Sequence, residues 1–83
     1  MSKIQDCADQ IIRIMTYSDK SDIIKIESKL NEVFEAMLIF LDCEDMIDIM
    51  KNRVIGNLST KTHKIFFDYI TNKINYWNEC VND

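Results

Sequence analysis

The chain has 83 residues, of which 14 are acidic and 10 basic, for a net charge of −4. That length supports one domain over residues 1–83, burying only about 60 to 65% of the surface that the unfolded chain exposes. One glycine and no proline leave almost nothing with which to build tight turns, which excludes most hairpin and sandwich architectures and predicts an all-α fold.

In chain order, Ser2 followed by Gln5 forms a capping pattern. Ile4, Cys7, Ala8, Ile11, Ile12 and Met15 then fall on one helical face, predicting a first helix over residues 3–17. Ser18-Asp19-Lys20-Ser21 interrupts it, and Ser18 or Ser21 is the expected cap of the next helix, with Asp22 near its positive end.

The second helix, expected over 21–41, carries an unbroken heptad stripe: Ile23, Ile26, Leu30, Val33, Met37 and Phe40. The added apolar residues Phe34, Leu38 and Leu41 widen the second half of that stripe until the helix needs neighbours on two sides. Asp42, with Asp45 three residues on, starts a third helix over 44–55 that places Met46, Ile47, Met50 and Val54 together. Gly56-Asn57 is read as a stop through the left-handed conformation. Ser59 or Thr60 restarts the chain into a last helix over 60–80, whose face is Phe66, Ile70, Ile74, Trp77 and Val81, flanked by Ile65, Tyr69 and Tyr76. Four helices with short connections predict a small antiparallel four-helix bundle.

Few residues suggest chemistry. His63 is the single histidine and falls in the first turn of the last helix, where solvation explains it. Asp42, Glu44, Asp45 and Asp48 cluster, but acids at a helix start are already accounted for by the helix dipole, and the Glu-x-x-His partners of bundle metal sites are lacking. Neither a phosphate-binding glycine loop nor a metal-ligand spacing is present, so the expectation is a non-catalytic protein without metal or cofactor. Cys7, Cys43 and Cys80 are odd in number and far apart, which suits reduced thiols packed as small hydrophobes in a reducing cytoplasm. The N-terminus lacks the basic and long apolar regions of a signal peptide, and the longest apolar run, Met37 to Leu41, is far short of a membrane span. The abundance of Ile, Asp, Lys and Asn points to an AT-rich coding sequence, such as those of many phages, large DNA viruses and mobile elements.

Charge is uneven. Residues 1–48 hold eleven acids and five bases, residues 49–83 three acids and five bases, and no acid lies between Ile49 and Phe67. Lys51, Arg53, Lys61, His63 and Lys64 surround the Gly56 turn, in an order that evokes a helix-turn-helix whose second helix begins Ser59-Thr60-Lys61-Thr62. Four formal positive charges are few for a phosphate grip, and the overall pI is acidic, about 4.8.

A resemblance runs through roughly the C-terminal half. Its residues are Met37-Leu38-Ile39-Phe40-Leu41-Asp42-Cys43, then Met46, Ile47, Ile49 and Met50, then Leu58-Ser59, then Phe66-Phe67, with Lys73-Ile74 beyond. This pattern resembles the Hha/YmoA family, small helical modulators that bind nucleoid silencing proteins of enteric bacteria. The resemblance implies a helical protein that acts by docking on a larger one. The chain departs from the family where its partner-contacting aspartate would be, here Thr71. Only the basic position survives, as Lys73, the family's C-terminal tail is missing, and the first thirty residues have no counterpart.

The sequence therefore predicts a binding module, such as a small regulator, inhibitor or chaperone, that docks on a protein partner or on a second copy of itself. Phe34, Met37, Leu38, Leu41, Tyr69, Tyr76 and Trp77 are its expected contact residues. The alternative is a transcriptional or nucleoid regulator that reaches DNA through Lys51, Arg53, Lys61 and Lys64, directly or through a silencing-protein partner.

Overall fold

A computed structural model describes residues 2–82, and every element in it is helical: α1 (Lys3–Tyr17), α2 (Ile23–Met37), α3 (Cys43–Asp48), a π-helical segment (Ile49–Val54), a 3₁₀ turn (Ile55–Asn57), α4 (Thr60–Ile65) and α5 (Phe67–Asn82). No helix among the described residues is long and apolar enough to cross a membrane.

Short polar residues start the helices. Ser2 accepts the Gln5 N–H, and Ser59 accepts that of Thr62. Asp42 and Asp45 form a reciprocal capping box, each carboxylate accepting the other's backbone N–H. The cap of α2 is Asp22, which accepts the Lys25 N–H, and neither Ser18 nor Ser21 takes that role. Asp22 combines the cap hydrogen bond with a full negative charge at the helix's positive end.

The core gathers Cys7, Ala8, Ile11 and Met15 from α1, Ile26, Leu30, Val33, Phe34 and Met37 from α2, Met46 from α3, Ile49, Met50 and Val54 from the π segment, and Phe66, Ile70, Ile74 and Trp77 from the C-terminal part. Helices α1 and α2 run antiparallel: Lys3 at the start of one lies over the Phe40 ring just past the end of the other. Helices α2 and α5 run in the same sense, since Tyr69 reaches Glu27 and Asn31 while Trp77 meets Phe34 further along. Helix α1 packs on the π segment and α3 on α5.

Four further expectations are corrected. Helix α2 ends at Met37 rather than residue 41, because Ile39 and Phe40 donate back to Ala36 and Met37 in tightened three-residue bonds. The third helix does not run to residue 55 as an α-helix. It unwinds into the π segment, where the Ile55 N–H donates to the Met50 carbonyl. The last helix is broken at Phe66, whose backbone (φ −100°, ψ 10°) leaves the α region.

The fourth correction concerns Gly56. No described residue has a positive φ, so the left-handed stop is absent at Gly56. The chain instead closes through the 3₁₀ turn, with the Asn57 amide donating to the Arg53 carbonyl at 2.8 Å before Leu58 extends.

Buried residues four apart overshoot the α-helical turn by about 40° at each step. Cys7, Ile11 and Met15 in α1, and Ile26, Leu30 and Phe34 in α2, are spaced that way and stay within the broad buried face of a regular helix. Met46, Met50 and Val54, and Thr62, Phe66, Ile70 and Ile74, are spaced that way too and are all buried. A π turn winds each residue through a smaller angle and counters the overshoot in the first of these, and the bend at Phe66 re-aims the second.

Because Gly56 has an ordinary backbone and a Cβ there would meet nothing within 4 Å, Gly56→Ala is expected to raise the unfolding free energy by about 0.4 to 1 kcal/mol through the unfolded chain. Urea denaturation followed by circular dichroism checks it; a loss of stability would restore a conformational role for the glycine.

Candidate docking surface

Burial divides the expected contact residues. Phe34, Met37 and Trp77 are core, with Phe34 and Trp77 each only 2% exposed and their rings meeting edge to face at 5.1 Å. They are therefore corrected from contact surface to packing. Phe34 on the α2 stripe meets Tyr69 and Trp77 of α5, and α1 packs along α2 as well, which is why these side chains do not reach solvent. Leu38, Leu41 and Tyr69 are half-buried against the same core. Of the seven, Tyr76 alone is openly exposed, at 58%.

Tyr69 is held by its neighbours. Its hydroxyl donates to Asn31 Oδ1 at 2.6 Å, with the Glu27 carbonyl 3.2 Å away. Its ring stacks on Phe34, and Lys73 lies 5.7 Å from the ring centre. Burial, then the Glu27 charge, push its phenol well above the ordinary tyrosine range, so it stays a neutral donor joining α5 to α2. Lys73, the basic position of the family resemblance, is thus occupied within the chain, and Thr71 beside it is half-buried.

The basic set is also divided. Arg53 donates to Gln5 Oε1 at 2.8 Å and pairs with Asp48 at 3.5 Å, which leaves Lys51, Lys61 and Lys64 exposed. The His63 ring leans on Phe67, with centroids 5.9 Å apart. Helix α4 has six residues, about 9 Å of length, and Thr62 within its first turn is buried. The acids have local tasks as well: Asp45 closes the capping box, and Asp48 accepts from Asn52 and faces Arg53. No group of three or more metal-binding side chains gathers among the described residues.

What the apolar periodicity did not single out as surface is the turn after α2. Ile39 is 86% exposed and Phe40 50%. Phe40 completes the heptad stripe in sequence, yet the helix stops three residues before it, so its ring lies at the rim instead of the core. From there a groove of about 310 Å³ runs between α1 and α2, lined by Cys7, Gln10, Lys29, Glu32, Val33, Ala36, Met37 and Phe40. Cys7, Val33 and Met37 are its buried apolar members, whereas Gln10, Lys29 and Glu32 are polar. Lys3 covers Phe40 from one side, 5.0 Å from the ring centre. The Cys7 thiol is pushed up by burial and by Asp6, which keeps it protonated and a packing group.

The signal for Ile39 and Phe40 was present in the run Met37 to Leu41: five consecutive apolar residues cannot all face inward on one helix. Compared with protein families, with curated proteins and with solved structures, the chain has no match.

Core and surface separate in one experiment. Trp77→Ala is expected to cost about 3 to 5 kcal/mol, while Phe40→Ala costs at most about 1 kcal/mol. Urea denaturation monitored by circular dichroism reads both, and a Phe40 cost as large as that of Trp77 would place Phe40 in the core.

Proposed function

We propose that this chain is a non-catalytic protein-binding module, a small regulator, inhibitor or chaperone, that docks through the α1–α2 groove and the turn carrying Ile39 and Phe40. The observation that carries the reading is the exposure of that apolar pair at the mouth of a groove with an apolar floor. A large aliphatic and an aromatic side chain held out together are costly to leave in water and suit an anchor in a partner's pocket. The groove's buried apolar members Cys7, Val33 and Met37 suit side chains of an apolar helix, and its Gln10, Lys29 and Glu32 edge supplies polar contacts for orientation. Ridge and groove lie side by side, which makes a second copy of the chain a natural first partner to test. We read the scaffold as a small antiparallel bundle of four rods, α3 through Asn57 forming one and α4 with α5 forming a bent one.

The resemblance to the Hha/YmoA family supports the same class of action, a helical modulator working by docking. The nucleic-acid alternative rests on the acid-free stretch from Ile49 to Phe67 with Lys51, Lys61 and Lys64 exposed. It requires that duplex binding in a salt titration disappear in Lys61→Glu/Lys64→Glu.

The test compares wild type with Ile39→Asp/Phe40→Asp under reducing conditions, by light scattering across roughly a hundredfold range of concentration and by affinity capture. Both positions are exposed, so the variant should keep its helical spectrum and melting curve. Self-association, or capture of a specific protein, that is present in wild type and lost in the variant supports the reading. A wild-type monomer whose captured proteins match those of the variant would overturn it.

A further inference from the structure

Helix α2 carries a second stripe outside its core face. Lys25, Lys29, Glu32 and Ala36 recur at steps of four, three and four, all are exposed, and Phe40 continues the series past the end of the helix. The α1–α2 groove is the Phe40 end of this stripe. At the other end a second hollow of about 550 Å³ opens beside the loop between α1 and α2, lined by Asp19, Asp22, Lys25 and Lys29 with the buried Ile26 as its apolar member. Lys29 lines both hollows, so the two adjoin along α2. The loop is held in place: Lys20 donates to the Thr16 and Ser18 carbonyls, and Asp19 and Asp22 accept the Ser21 and Lys25 N–H groups.

This stripe is complementary to itself under a twofold rotation. With two copies of α2 laid antiparallel and Lys29 of one opposite Glu32 of the other, the reverse pair forms at the same crossing. Lys25 then faces Ala36, whose small side chain leaves room for the lysine stem. Phe40 stands eight residues beyond Glu32, and Ser21 eight before Lys29, a span of about 12 Å at the helical rise. The register set by the charges therefore brings the Ile39 and Phe40 ridge of each copy to the hollow at the start of the other copy's α2. Lys3, whose ammonium lies 5.0 Å from the Phe40 ring centre, comes with it toward Asp19 and Asp22 of the other copy. The face sets Lys3, Lys25 and Lys29 against Asp19, Asp22 and Glu32, so the chain's net charge of −4 does not fall on it.

We propose that the partner taken by this docking surface is a second copy of the chain, in a twofold dimer whose α2 helices cross near Lys29 and Glu32 and whose Phe40 rings each enter the hollow at Asp19, Asp22 and Ile26 of the other copy. The proposal rests on the docking reading above and names its partner. Ile39 and Phe40 supply the apolar burial. The charges set the register and exclude a parallel crossing, which would put Lys29 against Lys29 and Glu32 against Glu32. A twofold contact uses the same surface on both copies, so association stops at two.

The test measures association of the folded full chain under reducing conditions by light scattering, across roughly a hundredfold range of concentration. It compares wild type, Lys29→Glu, Glu32→Lys and an equal mixture of these two variants. Both positions are exposed, so circular dichroism should show the same helix in each. Wild type should reach a dimer and no larger species. Either single reversal places like charges at both crossings and should raise the dimer dissociation constant roughly tenfold or more. The mixture should recover wild-type affinity, because the two acidic positions of one variant then meet the two basic positions of the other. A monomer at every concentration, an assembly that grows past two, or a mixture no tighter than its components would overturn the proposal. Affinity capture separates this failure from that of the docking reading: a monomeric wild type that holds a specific protein, lost in Ile39→Asp/Phe40→Asp, sinks the dimer alone.

Discussion

Two departures from α geometry frame this chain, the underwound stretch Ile49–Val54 and the bend at Phe66. An α-helix returns to the same face a little sooner than every fourth residue, and buried residues four apart run through both places: Met46, Met50 and Val54 through one, and Thr62, Phe66, Ile70 and Ile74 through the other. Helices α1 and α2 bury Cys7, Ile11 and Met15, and Ile26, Leu30 and Phe34, at the same spacing on broad faces of a regular helix. The underwinding and the bend build the surfaces on which the rest is laid. Helix α1 lies on the underwound segment, and α5 follows from the bend to pack on α3.

Helix α2 joins this frame through aromatic contacts. Phe34 meets the Trp77 ring edge to face and stacks with the Tyr69 ring, and the Tyr69 hydroxyl fixes the longitudinal register through Asn31. The broad apolar second half of α2 is thus shared between two neighbours in the same chain, with Phe34 against α5 and α1 packed alongside. The remainder is small and sits at one place, the turn where α2 has ended and α3 has not begun. The Asp42–Asp45 capping box fixes where α3 starts, and so keeps Ile39 and Phe40 outside both helices.

Much of this was legible in the residues. The bounds of α1 followed from one apolar face and a serine cap, and the buried members of α2 from Ile26 to Met37 followed from the heptad stripe. Asp42 and Ser59 were readable as helix starts because short polar side chains have few other reasons to precede an apolar run. Periodicity, however, says which residues share a face and not what covers that face. Phe34, Met37 and Trp77 therefore read equally well as contact surface or core until the packing of α5 was known. Gly56 shows a second limit, since a residue that tolerates a left-handed backbone need not adopt one. Arg53 shows a third: its withdrawal from the basic surface depends on Gln5, distant in sequence and brought near by α1 crossing the π segment. The four-residue steps were visible as spacing, but the same steps run through the regular helices α1 and α2, so spacing did not announce the underwinding or the bend.

The π segment also bears on how such a chain tolerates change. Its hydrogen bonds close one residue later than those of an α-helix, so Ile49–Val54 contains one residue more than an α-helical connection between the same two ends would need. That surplus is slack in the chain. A lineage carrying this fold could lose one codon here and recover an ordinary helix, with Met46 on one side and Leu58 on the other keeping their directions. The same loss within α1 or α2 would rotate every later apolar residue off the core. Length variation among descendants of this chain should therefore concentrate between Ile49 and Val54, in the middle of the hydrophobic interior instead of at a loop.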